Sequence, residues 1–480
     1  MSPLRRRQGN AFGRKGRFDR GYWEAKDNRD RPKPREREQV GPWLGQASRP
    51  AMDDLGNEVP KRRRPAAGSS SSGPPSFSLS QPAGTRRETH EPDYLILVSV
   101  VALAAIGILM VYSASAIPAY ANSRNTFEIV APQLVAGLLG LAAMVCLMRI
   151  DYRRLRAISV PLLLLAYFLL AVVLIPSIGV THNGAARWLH LGPLPEIHPA
   201  EVAKLGLAVY LAHWMAVRGT RIRSFRDGTI RFLIVTGAMV GLVVKEPDLG
   251  TAAVIALMAF VVFFVAGANL FHLGLALAAA AAAGGAAMLA VGTYPIQRIL
   301  TFLDPWKYQD TTGYHTIKGL EALAAGGIFG TGLGNDRISV PNDFNDFIFS
   351  VISQQLGLVG GLVVIVLFLL FGYAGFRTAL RAPDTFGGLM AAGITCWICF
   401  QAFINIGVVL ALLPVTGITL PFVSQGGSSL AVTCAAAGIL LSISRETVER
   451  GSWNAALDSG RGYGRTYLPG SRGGTIASDD

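Results

Sequence analysis

Long apolar runs, separated by short polar segments, fill the chain from residue 93 to residue 446. Ten of these runs reach the 17–25 residues that an α-helix needs to cross a bilayer, and 347–376 and 386–413 are longer. Their predicted bounds are 93–116, 128–148, 157–178, 199–216, 230–246, 250–268, 270–291, 347–376, 386–413 and 427–444. The pattern predicts an all-α polytopic membrane protein with ten transmembrane helices.

Arginine-rich connections orient the predicted helices. They are the N-terminal tail and the segments 149–156, 217–231, 376–384 and 444–450. Because Lys and Arg are enriched in cytoplasmic loops, these connections and both termini are predicted to lie in the cytoplasm. The longest connection on the opposite, extracytoplasmic side covers residues 292–346, between predicted helices 7 and 8. A loop of this length in a compact protein is commonly functional, and we favour that interpretation.

Composition supports a membrane domain between two polar tails. The chain is 51% hydrophobic and only 16% charged, which is typical of a membrane protein and not of a large soluble core. The net charge of +13 reflects basic tails and loops, so it indicates topology and not nucleic-acid binding. We predict a disordered basic cytoplasmic tail over 1–92, a membrane domain over 93–446 and a flexible cytoplasmic tail over 447–480.

Cysteine and histidine spacing gives little support for a metal or redox site. All four cysteines lie inside apolar runs, at Cys146, Cys396, Cys399 and Cys434. Helix packing explains small polarizable residues there better than redox chemistry or metal binding. His190 and His198 do not have a convincing metal-ligand spacing either.

Asp346 stands where the long loop re-enters the membrane, directly before Phe347 and Ile348. It can cap the next helix, because Asn345 and Asp346 both accept hydrogen bonds from free N–H groups. Alternatively, a carboxylate at the water–lipid boundary can act as a general base on a substrate that is half lipid. The residues alone leave both interpretations open, and Asp343 is interpreted as solvated.

Further polar features interrupt the apolar body. Arg187 lies just outside a helix that carries Glu201 and Lys204, which share one helix face at i,i+3 spacing. Ionisable residues at membrane depth indicate function unless they form a structural ion pair. Gly426 and Gly427 begin the last helix, where backbone N–H groups can hold a phosphate or small residues can allow close helix packing.

Nine ordered motifs run through the apolar body: ILMVYSASA, RIDYRRLR, ARWLHLGPL, EPDLGTA, RILTFLDPW, GIFGTGLGN, DFIFSV, QLGLVGG and LPVTGITLPFVSQGGSSL. Together they resemble the SEDS family of bacterial cell-wall polymerases over residues 93 to 446. VYSASA, IDYRRL and YLAHW are similar to the division branch of that family, and the elongation branch is the alternative.

The resemblance implies a ten-helix fold and a peptidoglycan glycosyltransferase that polymerises lipid II during cell division. The family's essential aspartate matches Asp346. Other positions typical of the family are occupied by Arg187, Glu201, Lys204, Arg298 and Ser424. Family members act with a class B penicillin-binding protein, so the resemblance implies the cell membrane at the septum as location and that transpeptidase and other division proteins as partners.

The chain departs from the family's usual residues at several polar positions. These include His198 and Ala200 before Glu201, Phe344 and Asn345 before Asp346, and also His315, Gln354, Gln355 and Gln425. Such changes allow a diverged substrate or a weakened polymerase, whereas retention of Asp346 argues for activity.

The implied reaction transfers a sugar from an undecaprenyl-diphosphate-linked donor to an acceptor hydroxyl with inversion. It requires one base at the acceptor and neutralisation of the leaving diphosphate. We expect Asp346 to deprotonate the hydroxyl or to hold a divalent cation, Mg²⁺ or Mn²⁺, shared with substrate phosphates, and we expect no organic cofactor. The expected substrate-binding residues are Arg187, Lys204 and Arg298 at the diphosphate, with Glu201, Ser424, Gly426 and Gly427.

Two other functions remain as alternatives. A lipid II flippase would pass a charged head group along ionisable residues and broken helices. A scaffold would use the basic tail to dock on anionic lipid or on cytoplasmic division proteins. The polymerase predicts chemistry on one membrane face, at Asp346, whereas a flippase predicts matching polar features on both faces.

Overall fold

The computed structural model describes residues 90–121, 126–176, 178–182, 185–190, 196–291, 293–335, 337–340 and 345–446. The predicted tails lie outside these residues except for positions 90–92, and so do Asp343 and Phe344.

Twelve α-helices form the described part of the chain. They are α1 (Tyr94–Ala121), α2 (Thr126–Arg149), α3 (Leu155–Val173), α4 (Pro199–Arg218), α5 (Arg231–Lys245), α6 (Leu249–Val265), α7 (Leu270–Val291), α8 (Thr293–Leu303), α9 (Tyr314–Gly326), α10 (Ile348–Arg381), α11 (Thr385–Val409) and α12 (Gly427–Ser444). Within the described residues, eight helices are long and apolar enough to cross a membrane, and shorter apolar helices cover Leu249–Val265 and Leu270–Gly285. The two shorter helices coincide with predicted spans six and seven, so the count of ten stays a prediction.

A small antiparallel hairpin interrupts the helical pattern between α3 and α4. Strand β1 (Gly179–His182) pairs with β2 (Ala185–Leu189), and Leu189 also bridges to Ile197. The all-α prediction did not include these strands. The hairpin matters because β2 carries Arg187 to the site described below.

The helices divide into central and peripheral members. The most apolar stretch of α11 is 83% buried and that of α12 is 72% buried, whereas those of α2 and α3 are only 28% buried. Close backbone contact supports this packing, because a Cβ added at Gly438 of α12 would lie 2.5 Å from the carbonyl oxygen of Met144 in α2. Small residues commonly allow such contact between membrane helices. Peripheral helices therefore present their apolar side chains to lipid while the polar residues gather inside.

The helix that follows Asp346 is broken at Gly357. This residue has φ +70° and a non-helical backbone inside α10. The break is stabilised by the turn after α9, because the N–H of Leu358 donates to the Gly327 carbonyl at 2.9 Å and that of Gly332 to Gln355 at 3.1 Å. The first part of α10 is therefore fixed to the α9 turn and not only to the membrane helices.

Candidate functional site

A cavity of about 1490 Å³ lies where the hairpin, α8, α9, the start of α10 and the connection between α11 and α12 meet. Six predicted site residues line it: Arg187, Glu201, Arg298, Asp346, Gly426 and Gly427. These residues are spread over 240 positions of sequence, from Arg187 to Gly427, yet they border one space. The structure therefore brings these six residues together, and their roles stay predictions.

Asp346 is half-buried at the mouth of α10. The helix cap is Phe347, which makes no side-chain capping hydrogen bond, so capping does not account for an acidic residue here. Burial raises the pKa of the Asp346 carboxyl to about 6; the charge of Asp248 adds to this, whereas Arg187 and Arg298 oppose it. At neutral pH the group is mostly ionised and more basic than an ordinary aspartate, which suits a general base.

Arg187 is held by two main-chain oxygens. Its Nε donates to the Glu246 carbonyl at 3.2 Å and its Nη2 to the Pro247 carbonyl at 2.5 Å. Those carbonyls belong to the turn between α5 and α6. Because carbonyls orient the guanidinium without cancelling its charge, Arg187 stays electropositive toward the cavity.

Gly417 separates the base from this cation. It has φ +74°, and an added Cβ would lie 3.6 Å from Oδ2 of Asp346 and 3.7 Å from Nη1 of Arg187. The carboxylate and the guanidinium therefore face the same narrow space. Arg298 anchors on the same connection, since its Nη1 donates to the Val415 carbonyl at 2.9 Å. A diphosphate in this space would meet two guanidinium groups next to the carboxylate.

Two acids in the turn after α5 were not predicted as site residues from the sequence. Asp248 is 2% exposed and lines the cavity, caps α6 by accepting from the Thr251 N–H at 3.0 Å, and lies 3.9 Å from Nε2 of His198. Burial raises the pKa of Glu246 to about 9, with Asp248 adding and Arg187 opposing, so this carboxyl is neutral at pH 7. The signal that could have found them is the helix break within EPDLGTA, which places acids at a helix start.

Lys204 and Ser424 are placed behind the cavity wall. Nζ of Lys204 donates to Oε1 of Glu201 at 2.8 Å and to Oε1 of Gln401 at 2.5 Å, and the residue is 1% exposed. The structural ion pair considered for Glu201 and Lys204 is therefore present, although Glu201 also reaches the wall. Oγ of Ser424 donates to the Asn345 carbonyl at 2.6 Å. Both side chains thus contact neighbouring protein groups, and neither residue lines the cavity.

The two glycines at the start of α12 combine both roles considered for them. Gly426 and Gly427 line the cavity, but the Gly426 N–H already donates to Oε1 of Gln133 at 3.1 Å. A Cβ at Gly427 would lie 3.2 Å from Cβ of Ala136, so close packing on α2 also requires a small residue. Their expected contact with substrate stays a prediction.

The side chains present fit a divalent cation only in part. Among the described residues there is no group of three or more His, Cys, Asp or Glu side chains arranged to hold a metal. Asp346 and Asp248 both border the cavity and supply carboxylate oxygens, the ligand type that Mg²⁺ and Mn²⁺ prefer. The remaining ligands of such a cation would have to come from substrate phosphates or water.

Several departures from the family's usual residues face the same space. His198, His315, Asn345 and Gln425 line the cavity, whereas Gln354 is fully buried. Burial lowers the pKa of His198, so its imidazole is neutral at pH 7. Residues that differ from the family pattern therefore lie where a substrate would be contacted.

Comparison with known proteins agrees with this architecture. The FTSW_RODA_SPOVE family model, described as a cell cycle protein, matches residues 93–449. The chain belongs to this family. The membership confirms the resemblance seen in the motifs and, with the apolar helices, a multi-pass membrane protein.

Individual members of the FtsW/RodA/SpoVE family match nearly end to end. Stage V sporulation protein E of Bacillus subtilis is 39% identical over 74% of this chain and 97% of its own. A probable peptidoglycan glycosyltransferase FtsW of Thioalkalivibrio sulfidiphilus is 40% identical over 77% of this chain and 94% of its own.

Two solved structures of similar chains confirm the helical membrane fold. A chain from a peptidoglycan synthase complex has a TM-score of 0.61 at 33% identity and covers 74% of this chain and 98% of its own. The rod shape determining protein RodA of Thermus thermophilus has a TM-score of 0.55 at 30% identity, with coverage of 75% and 98%.

Proposed function

We propose that this chain is a peptidoglycan glycosyltransferase of the cell-division type, which joins lipid II units into glycan strands. The observation that carries the proposal is the basic, desolvated carboxylate of Asp346, which shares a narrow polar space with Arg187. Relatives covered almost completely by this chain are named as probable peptidoglycan glycosyltransferases, which supports the same activity.

The geometry suits an inverting transfer from a lipid diphosphate. Asp346 takes the proton from the acceptor sugar hydroxyl as its oxygen attacks the anomeric carbon of the donor, while the bond to the diphosphate breaks. Arg187 and Arg298 bind the diphosphate and offset the charge that it gains on leaving. A divalent cation, if bound by Asp346 or Asp248 together with the phosphates, would supply further charge neutralisation.

A one-sided distribution of polar groups favours the polymerase over a flippase. The polar cavity lies at the Asp346 end of the bundle. At the opposite end, Arg153 and Arg156 contact Asp384, and Arg153 also contacts Glu446 at 2.5 Å. Arg153 and Arg156 are therefore already paired and do not offer a second binding site for a diphosphate head group.

The same family membership supports a proposal for partner and location. A structural relative belongs to a complex described as coordinating polymerisation and crosslinking. This supports a partnership with a class B penicillin-binding protein, the transpeptidase that crosslinks new glycan. We place the protein in the cell membrane at the division septum, with both termini cytoplasmic and the cavity on the outer side.

The activity is tested with the purified full-length chain, its partner transpeptidase and lipid II. We expect glycan strands from the wild-type chain, visible by gel electrophoresis of labelled product, and none from Asp346→Ala. Glycan made at the wild-type rate by Asp346→Ala would refute the assigned base. Transport of lipid II across vesicles without any glycan, in the presence of the partner, would favour the flippase.

A further inference from the structure

A ladder of polar side chains crosses the buried face of α11. Trp397, Gln401 and Asn405 follow one another at spacings of four residues and are at most 1% exposed. Nε1 of Trp397 donates to Oε1 of Gln401 at 2.9 Å, and Nε2 of Gln401 donates to the Thr419 carbonyl at 3.0 Å. Buried polar groups in a membrane helix are costly unless bonded, so this ladder has a purpose beyond filling space.

Asn405 is the last residue of the ladder, and it contacts the main chain of Asp346. Its amide Nδ2 donates to the main-chain carbonyls of Asp346 and Ile418, both at 2.7 Å. Residues 345–347 and 414–420 are not helical, and among the described residues no backbone N–H bonds to either carbonyl. One side chain therefore joins the segment that carries the base to the connection that crosses the cavity.

Ser424 holds the preceding carbonyl. Its Oγ donates to the Asn345 carbonyl at 2.6 Å and accepts from the Leu420 N–H at 2.8 Å. Two consecutive carbonyls, at 345 and 346, are thus bound by side chains from two different elements. Together they fix the peptide planes on either side of the Asp346 Cα, and with them the direction of its Cα–Cβ bond.

The second carbonyl held by Asn405 also matters for geometry. Ile418 follows Gly417, the residue whose missing Cβ leaves the space between Asp346 and Arg187. Since Asn405 bonds to the segment that carries the base and to the segment that contains Gly417, it holds these two segments together.

We propose that Asn405 is a positioning residue that fixes Asp346 and the Gly417–Ile418 segment in the geometry required for sugar transfer, with Ser424 as its second point of support. The inference rests on the function proposed above. Only the amide donors are used: Oδ1 of Asn405 is buried and has no hydrogen-bond partner among the described residues. A side chain of the same shape without donors should therefore keep the fold and lose the positioning.

The kinetic test compares Asn405→Leu with wild type, using Thr395→Val as a matched control. Thr395 lies on the same helix, is fully buried, and its Oγ1 donates to the Ala391 carbonyl of its own helix at 2.7 Å. We expect kcat per bound lipid II to fall about 10–100-fold in Asn405→Leu. A displacement of the Asp346 carboxylate by about 1 Å lowers a rate by roughly this factor. KM and the stoichiometry of bound lipid II should change less than threefold, and Thr395→Val should stay within twofold of wild type.

A second pair of variants tests the proposal even if Asn405→Leu does not fold. Ser424→Ala should lower kcat about tenfold, the scale of one lost hydrogen bond, and Ser424→Thr, which keeps the hydroxyl, should restore most of it. Asn405→Leu with kcat within threefold of wild type would overturn the proposal. Equal loss of kcat and of lipid II binding in Asn405→Leu and Thr395→Val alike would also overturn it, because that indicates a general packing defect.

A measurement that does not depend on catalysis tests the positioning role independently of the proposed function. In a chain carrying Asp346→Cys and Cys146→Ala, the rate at which the introduced thiol reacts with a maleimide reports its position. We expect Asn405→Leu to change that rate at least fivefold and Thr395→Val to leave it unchanged. An unchanged rate in Asn405→Leu would refute the positioning role, whether or not the wild-type chain polymerises lipid II.

Discussion

The two ends of the membrane domain use the same kinds of charged residue in opposite ways. At the end predicted to be cytoplasmic, Asp384 accepts from the Tyr152 hydroxyl at 2.7 Å, contacts Arg156, and caps α11 through the Gly387 N–H at 3.1 Å. At the other end, Arg187 contacts main-chain carbonyls, and the nearby carboxyl of Asp346 has a raised pKa.

This difference separates charges that stabilise from charges that act. An acid that is paired and capped, such as Asp384, holds elements together and has little left to offer a ligand. An acid that is partly desolvated beside an oriented cation costs stability, and such groups concentrate at functional sites. The comparison therefore predicts that substitutions at the two ends change different quantities.

Asp346→Asn should have the largest effect on activity. The amide keeps the shape of the side chain but cannot accept the proton, so we expect kcat to fall about 10²–10⁴-fold. Affinity for fluorescent lipid II, measured by binding, should stay within threefold. Loss of binding with an unchanged kcat per bound substrate would instead make Asp346 a binding residue.

Arg187→Lys should have the next largest effect on activity. Lysine keeps the charge but lacks the two-pronged geometry that reaches the Glu246 and Pro247 carbonyls while facing the diphosphate. We expect kcat/KM for lipid II to fall about 10–100-fold, the scale of one or two hydrogen bonds to a charged group. A Lys variant with wild-type kcat/KM would show that the orientation of Arg187 is not needed.

The activity should also depend on pH with an acid limb set by Asp346. Because only the ionised carboxylate accepts a proton and burial raises its pKa to about 6, kcat should fall roughly tenfold for each pH unit below 6. The limb is measured from pH 3 to 8 at two Mn²⁺ concentrations. A limb that shifts with Mn²⁺ would make Asp346 a cation ligand, and a limb at pH 4 would contradict its desolvation.

The smallest effect on catalysis is expected for Asp384→Asn, the counterpart at the other end. Loss of its charge removes the partner of Arg156 and weakens the bond with Tyr152, so the free energy of unfolding should drop by about 1–3 kcal/mol. Thermal unfolding in detergent measures this change. The kcat on lipid II should stay within twofold, and a larger loss would remove the distinction between the two ends.

Much of the fold could be predicted from the sequence because bilayer thickness imposes one length on every spanning helix. Apolar runs and arginine-rich connections were therefore readable without tertiary information. The hairpin at Gly179–Leu189 and the break at Gly357 were not, since both depend on partners distant in sequence. The break is specified jointly by Gly357 and the turn after α9.

Some site residues could likewise be predicted from the sequence and others could not. Asp346 and Arg187 could be found because an ionisable group beside an apolar run is unusual, and the family resemblance strengthened both. Asp248 was hidden as an ordinary helix cap, and Asn405 as one amide inside an apolar helix. Lys204 looked like a ligand because the sequence does not reveal Gln401 as its partner.

The central claim is that Asp346 is reached from outside the cell, where the saccharide of the substrate lies. The most direct measurement is reaction of the Asp346→Cys thiol, in a Cys146→Ala background, with a membrane-impermeant maleimide applied to intact cells. Phe329→Cys and Leu380→Cys, at positions 83% and 88% exposed, serve as outer and inner controls. We predict labelling from outside, as for Phe329→Cys, and slower labelling when lipid II is added to the purified chain. Labelling only after permeabilisation, as for Leu380→Cys, would contradict the account.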